Sequence, residues 1–407
     1  MKYGWVFCVV AFVGVSCSPS SDDAAYSTSS NSGAGVTSAI ESQTTLAASS
    51  GMAAAPTTTT AIAPTTTIAI APTTTTAIAP TTTTYPRVTS PVSVRFEELM
   101  SRVDDVPAIA WEHSQAILNH NLDVPGSSVE LEVKIGPTTD LYFEENEKAF
   151  RDGSAFWQGY DTPTRYIALF YNAADRTWAE RQLVEYGEQS DRARARAGGP
   201  CPDEMTCTGA NSGLGIGIHE STGVGVFGIS QADSWDAYRT GGLQIHEYTH
   251  AVQPAAWVNN ARGAQDESNR SAPCWLIEGS AHFTGISVAE NEYASYLQLR
   301  NSQVRGRHLK GEFADYSSEK IFDYYNASVP YLCIGQKDYD LGYSVGFLTV
   351  EALSAVAGSQ SSMDIYKSLS LGNSFEEAFQ SVYEVSWDEA KSILATYVSL
   401  VIGQLFD

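Results

Sequence analysis

The residues best suited to chemistry are His246 and His250, four positions apart in GGLQIHEYTHAVQ, with Glu247 beside the first of them. On a helix, positions i and i+4 lie one above the other on the same face, so a single turn can direct two imidazoles at one metal ion. Glu247 is then placed to take a proton from a water on that metal as a carbonyl is attacked. The pattern implies metal-dependent hydrolysis. A solvent-facing helical His-Glu pair is the bland alternative. A third ligand, an electrophile and a helical context elsewhere in the chain would separate the two.

After His250 the chain runs AVQPAAWVNNARGAQDESNRSAPCWLIEGSAHFTGI. The metzincin pattern needs Gly at 253 and His at 256, where this chain has Gln253 and Ala256, so that class is excluded by its own spacing. HEYTH followed by WLIEGSA instead resembles the catalytic half of the gluzincin, or peptidase MA-like, zinc metallopeptidases, whose usual form is HExxH and then W-x-x-E-G-x-A on the next helix. The HEYTH wording and the long gap to Glu278 are similar to microbial collagenases in particular. Farther on, Tyr339-Asp340-Leu341-Gly342 with YSVGFLTVEAL resembles the family's Y-x-x-G segment, and residues 373 to 398 resemble its closing helices.

The resemblance spans roughly residues 214 to 400 and is strong at the three motifs. It implies that His246, His250 and Glu278 ligate Zn2+, that Glu247 is the general base and that Tyr339 stabilises the oxyanion. Two histidines, a glutamate and an open fourth position form a known coordination set for catalytic zinc. Tyr343, one turn later, is the competing oxyanion donor. Four residues beyond the glutamate, where relatives often carry an acidic residue, this chain has His282. It is read as a packed or ligand-supporting histidine, with a role as alternative ligand left open. His113, His120, His219 and His308 have no ligand partner at useful spacing and are read as surface or core residues. In the resembling family an edge strand before the HExxH helix pairs with the substrate backbone, a mode that needs exposed main-chain groups. The Gly-rich segment 223 to 230 is the candidate for it here, although an ordinary hairpin would look the same.

These side chains need a scaffold, and composition says where it lies. Residues 1–17 hold one early Lys, an apolar run from Trp5 to Val15 and a small residue before Cys17, the layout of a secretory signal peptide. Gly14-Val15-Ser16-Cys17 resembles a bacterial lipobox, with Gly14 where an aliphatic residue is usual, so a lipid anchor at Cys17 and ordinary cleavage are both open. Residues 18–90 are rich in Ser, Thr, Ala and Pro, with Pro56, Pro64, Pro72 and Pro80 marking an eight-residue repeat. Such a segment cannot build a hydrophobic core and reads as a disordered tether. At about 3.1 Å per residue it would reach on the order of 100 to 200 Å when stretched.

Of the formal charge of −23, residues 1–90 contribute −1, so the globular region 91–407 carries −22. That balance argues against nucleic acid or an anionic membrane surface as a partner, while a peptide or protein substrate is what the family resemblance implies. Four of the six cysteines, Cys201, Cys207, Cys274 and Cys333, lie in this region. In an exported protein they suggest two disulfides; Cys201 with Cys207 would close a small loop and leave Cys274 with Cys333, and the pairing is open at the level of sequence.

Periodicity predicts a mainly helical stretch from Val92, broken by Pro107, then strands over 129–136, 165–171, 213–219 and 223–230, with a helix from Ala174 to about Tyr186. Arg192, Arg194 and Arg196 read as a flexible surface loop. Helices dominate after Asp236, so the expected architecture is α+β: a gluzincin-like domain with a small N-terminal mixed sheet and a mainly helical C-terminal part. Two other functions compete with a peptidase. A cell-surface binding or adhesion module could use zinc structurally, but a closed site fills its fourth position with Cys or His and the sequence offers none nearby. The other is a zinc hydrolase acting on a non-peptide bond.

Overall fold

Strand β2 (Arg165–Tyr171) shows how the domain is layered, because both of its faces are buried. Tyr166, Ala168 and Phe170 point into the main core, while Ile167, Leu169 and Tyr171 point into a smaller one behind the sheet. A strand covered on both sides reads as a continuous apolar run, as RYIALFY does.

The computed structural model describes residues 93–406 apart from 125–128, 142–144, 204–205, 208, 215–220, 231–239, 259–262, 310–314 and 329–338. For 306–309, Tyr339 and Asp340 it describes the backbone alone. The leader, Cys17, the tether, His219 and Cys333 lie outside the described residues, as does the His308 side chain.

The described helices are α1 (Val106–Asp123), α2 (Asn146–Phe156), α3 (Arg176–Glu185), α4 (Ser190–Gly198), α5 (Gly242–Val252), α6 (Ala264–Ser271), α7 (Cys274–Ala289), α8 (Tyr293–Leu309), α9 (Ser318–Ala327), α10 (Val345–Ala357), α11 (Ser361–Ser370), α12 (Phe375–Tyr383) and α13 (Trp387–Phe406). The other strands are β1 (Glu130–Ile135), β3 (Ala210–Leu214) and β4 (Thr222–Gly228). They form one mixed sheet in the order β1-β2-β4-β3, parallel except that β3 runs antiparallel to β4. The fold is α+β, with the sheet in the N-terminal part and helices thereafter. Among the described residues no single helix is long and apolar enough to cross a membrane.

Two local expectations are overturned. Pro107 opens helix α1 instead of breaking one, since a missing N–H costs nothing in the first turn. The arginine cluster is helix α4, not a loop. The alternating RARARA spelling hides Ala193 and Ala197, one turn apart and fully buried behind the sheet with Ala179, Leu183 and the Cys201–Cys207 disulfide. Cys274 is also disulfide-bonded.

Helix α7 lies at the heart of the helical part. All residues from Cys274 to Val288 are buried, so it has neighbours on every side. Its start is anchored by Trp275, stacked on Trp387 at 5.2 Å and met edge-on by Phe375 and Tyr325. Its crossing with α10 is so close that a Cβ at Gly279 would stand 2.4 Å from the backbone of Gly346. A methyl group there would force the helices apart.

Candidate metal centre

Helix α5 carries HEYTH and is buried on nearly all sides, which explains why it shows little apolar periodicity. Gly241 starts it in the left-handed region at φ 85, a conformation glycine adopts without strain. One face seats α5 against the rest of the core: Tyr248 meets Tyr166 of β2 edge-on at 5.1 Å, and Thr249 accepts a hydrogen bond from Trp157 Nε1 at 3.1 Å. The opposite face carries His246 and His250 toward α7.

There the side chains converge. His246 Nε2 lies 3.0 Å from His250 Nε2, and Glu278 Oε2 lies 3.8 Å from the first and 3.4 Å from the second. One ligand atom from each of the three residues falls within a span of 4.8 Å. Two imidazole nitrogens and one carboxylate oxygen on two packed helices suit zinc by donor type, number and proximity. His246 and Glu278 are each 5% exposed, so the donors sit in a largely dry environment.

Glu247 is buried beside them, and its Oε2 has no hydrogen-bond partner among the described residues. Burial is the main reason its carboxyl is raised to about 7; the His250 charge lowers it, the Glu278 charge raises it, and Arg196 lowers it. A group poised near neutrality can both accept and return a proton. For His250, burial disfavours the charged ring, but the charge of Glu278 and a hydrogen bond to it prevail and raise the imidazole to about 9. A metal must therefore displace a proton there in order to bind.

The segment 339 to 343 forms a 3-10 turn packed on α7. Gly342 allows this, since a Cβ on it would lie 2.9 Å from Glu278 Cβ. The Tyr343 ring lies parallel to the His246 ring at 5.9 Å. Tyr339 opens the turn, and its side chain is outside the described residues. His282 is buried, edge-on to His246, Tyr343 and Phe347 at 5.6 Å each. It packs beside His246 and is not among the three residues whose candidate ligand atoms converge. His113 is a core histidine bonded through Nδ1 to the Ser354 carbonyl at 2.9 Å, and His120 is exposed.

The candidate edge strand is corrected. Segment 223 to 230 corresponds to β4, which is paired on both sides, with β2 and with β3, and so has no free main-chain edge for a substrate. The outer strand on that side of the sheet is β3, whose Leu214 N–H donates to Gln265 Oε1 of α6 at 3.0 Å; the other outer strand is β1.

Two influences on the site side chains were not legible in the sequence. Arg196 is held by Glu188 at 3.2 Å and by Asn211 of β3 at 3.1 Å, and from α4 its charge reaches Glu247. No sequence signal linked it to a glutamate some fifty residues away. In the sequence Gln253 serves only to exclude the metzincin spacing, although a polar residue three positions after His250 lies one turn from it. Its Oε1 lies 2.9 Å from His250 Nδ1.

No family model matches this chain, and no curated protein and no solved structure matches it either.

Proposed function

We propose that this chain is an exported zinc-dependent peptidase of gluzincin type, cleaving peptide bonds within a protein substrate. The observation that carries the reading is the convergence of His246, His250 and Glu278 beside a buried Glu247 with an unpartnered oxygen. A structural zinc site gives such a glutamate no task. A bound zinc would supply a Lewis acid for the scissile carbonyl and would acidify a water to a pKa of about 7.

The rest of the chemistry belongs to the chain. Glu247 takes the nucleophile's proton at its carboxylate and, now an acid near neutrality, returns it to the departing amine. A tyrosine hydroxyl from the 339 to 343 turn, Tyr339 by motif or Tyr343 by its position against His246, donates to the oxyanion as it forms. Burial of the donors excludes bulk water and strengthens each of these interactions.

Export is supported by the leader-like residues 1–17 and by the Cys201–Cys207 disulfide, which suits an oxidising compartment. Any membrane attachment would be through a lipid at Cys17, and the acidic domain suits neither nucleic acid nor an anionic lipid surface.

The test measures zinc per chain and cleavage of an unstructured protein. One zinc and chelator-sensitive cleavage are expected. Glu247→Gln should keep the zinc and lower turnover by about 10²- to 10⁴-fold. In the same assay Tyr339→Phe and Tyr343→Phe identify the oxyanion donor, whose loss costs about 10²- to 10³-fold in kcat. Stoichiometric zinc with no turnover on any peptide library overturns the peptidase reading in favour of a binding module.

A further inference from the structure

Gln253 is 3% exposed, and its carboxamide touches both ligand-bearing helices. Its Nε2 is 2.7 Å from the Ile277 carbonyl and 2.9 Å from Ser280 Oγ, on either side of Glu278 in α7. Its Oε1 is 2.9 Å from His250 Nδ1 in α5. A backbone carbonyl can only accept, so the carboxamide atom facing Ile277 must be the NH2 group. The atom facing His250 is then the oxygen, which also can only accept. It follows that His250 Nδ1 carries a proton and donates it.

Each step is forced by donor and acceptor chemistry, and together they determine the ring. With Nδ1 donating to Gln253, the nitrogen left to offer a lone pair is Nε2, the atom directed at His246 Nε2 and Glu278 Oε2. Ser280 completes the arrangement by accepting from Gln253 and donating to the Ile277 carbonyl at 3.4 Å.

We propose that Gln253 is the positioning residue of the metal centre: it locks His250 in the Nδ1–H form and, through Ile277 and Ser280, sets the separation of His250 and Glu278. The proposal rests on the zinc-peptidase reading and adds a function for a residue outside its motifs. Partners of this kind fix ring orientation and raise ligand basicity, and their loss commonly costs about 10- to 100-fold in metal affinity.

The experiment uses the full chain, wild type and two variants of similar side-chain length, with two readouts. Gln253→Met removes all three side-chain hydrogen bonds, whereas Gln253→Glu keeps an acceptor for His250 and loses the donor to Ile277 and Ser280. The first readout is zinc affinity by competition with a chromophoric chelator. The second, independent of metal, is a solvent-protected proton on His250 Nδ1 in the chelated protein, seen by NMR after 15N-histidine labelling and assigned by its loss in His250→Gln. Gln253→Met is expected to weaken zinc binding about 10- to 100-fold and to lose the protected proton. Gln253→Glu is expected to retain the proton and to bind zinc more tightly than Gln253→Met.

A purely structural role would make affinity in both variants follow thermal stability, with no distinction in the proton signal, and that result overturns the proposal. Wild-type affinity in Gln253→Met, or no protected Nδ1 proton in the wild-type protein, overturns it as well. A wild-type chain that shows the proton but binds no zinc overturns the metallopeptidase reading on separate grounds.

Discussion

Two glutamates are buried in neighbouring helices, Glu278 in α7 and Glu351 in α10, and they are held in opposite ways. Glu351 is gripped through both oxygens by Arg300, at 2.7 Å from Nε and 2.6 Å from Nη2, and also accepts a hydrogen bond from Tyr296. A guanidinium does not lose its proton in a protein, so this pair carries its own permanent cation. Glu278 faces two imidazoles, groups that are cationic only when protonated. In the metal-free chain the proton that His250 retains up to about 9 supplies the missing charge. The first arrangement is closed and braces α8 against α10. The second can exchange its proton for another cation, which is what a metal centre requires and a structural ion pair does not.

The most forceful way to break this contrast is to remove one side of each cluster. Glu278→Ala should weaken zinc binding by at least about 10²-fold, by analogy with the known cost of losing even a ligand's supporting partner. Arg300→Met should instead destabilise the fold by about 3–5 kcal/mol, because it strands a buried carboxylate, while the folded fraction still binds one zinc. Chelator competition and denaturant unfolding on both variants check this. Equal effects of the two variants on zinc affinity would erase the distinction.

A second test uses pH on the chelated protein. His250 is raised from 6.5 to about 9, so its contribution to stability is complete below about 6.5 and is lost as pH rises through 9. Glu247 acts in the same direction. Burial raises it from 4.5 to about 7, so the folded state pays for its ionisation between those values. Relative to Glu247→Gln/His250→Gln, the chelated wild-type chain should therefore lose stability from about pH 4.5 to 9, on the order of 3 kcal/mol from His250 alone. Denaturant midpoints measured across that range check the sign. Arg300 should contribute no such dependence over the same range, since its guanidinium does not titrate there.

The smallest effect concerns the packing that presents Glu278. Gly342→Ala places a methyl carbon 2.9 Å from Glu278 Cβ, and the turn must shift to accept it. A loss of about 1–3 kcal/mol in stability is expected, as for other overpacked sites, accompanied by weaker zinc binding. Unchanged zinc affinity at reduced stability would mean that the turn supports the fold without positioning the ligand.

What could be read without the fold was local or carried by a motif. The i, i+4 spacing of His246 and His250 needs only one helical turn, and β2 announces itself as six apolar or aromatic residues in a row after Arg165. Composition sets residues 18–90 apart from the rest of the chain, because they hold few large side chains. Local spelling misled where a short pattern had two readings. RARARAGG is spelled like a loop but folds as a helix that buries Ala193 and Ala197, and the Gly-rich β4 is spelled like an edge but is paired on both sides.

The sequence by itself determined which atoms could bind a metal, since donor types and the spacing within α5 are properties of the chain. Only the tertiary structure decided that Glu278 meets them, that Gln253 holds His250 from behind and that β4 is paired on both sides while β3 lies at an edge of the sheet. These facts depend on how helices and strands distant in sequence pack, and a close approach such as Gly279 on Gly346 is set by the shapes of both partners. No periodicity within one segment encodes the surface of another.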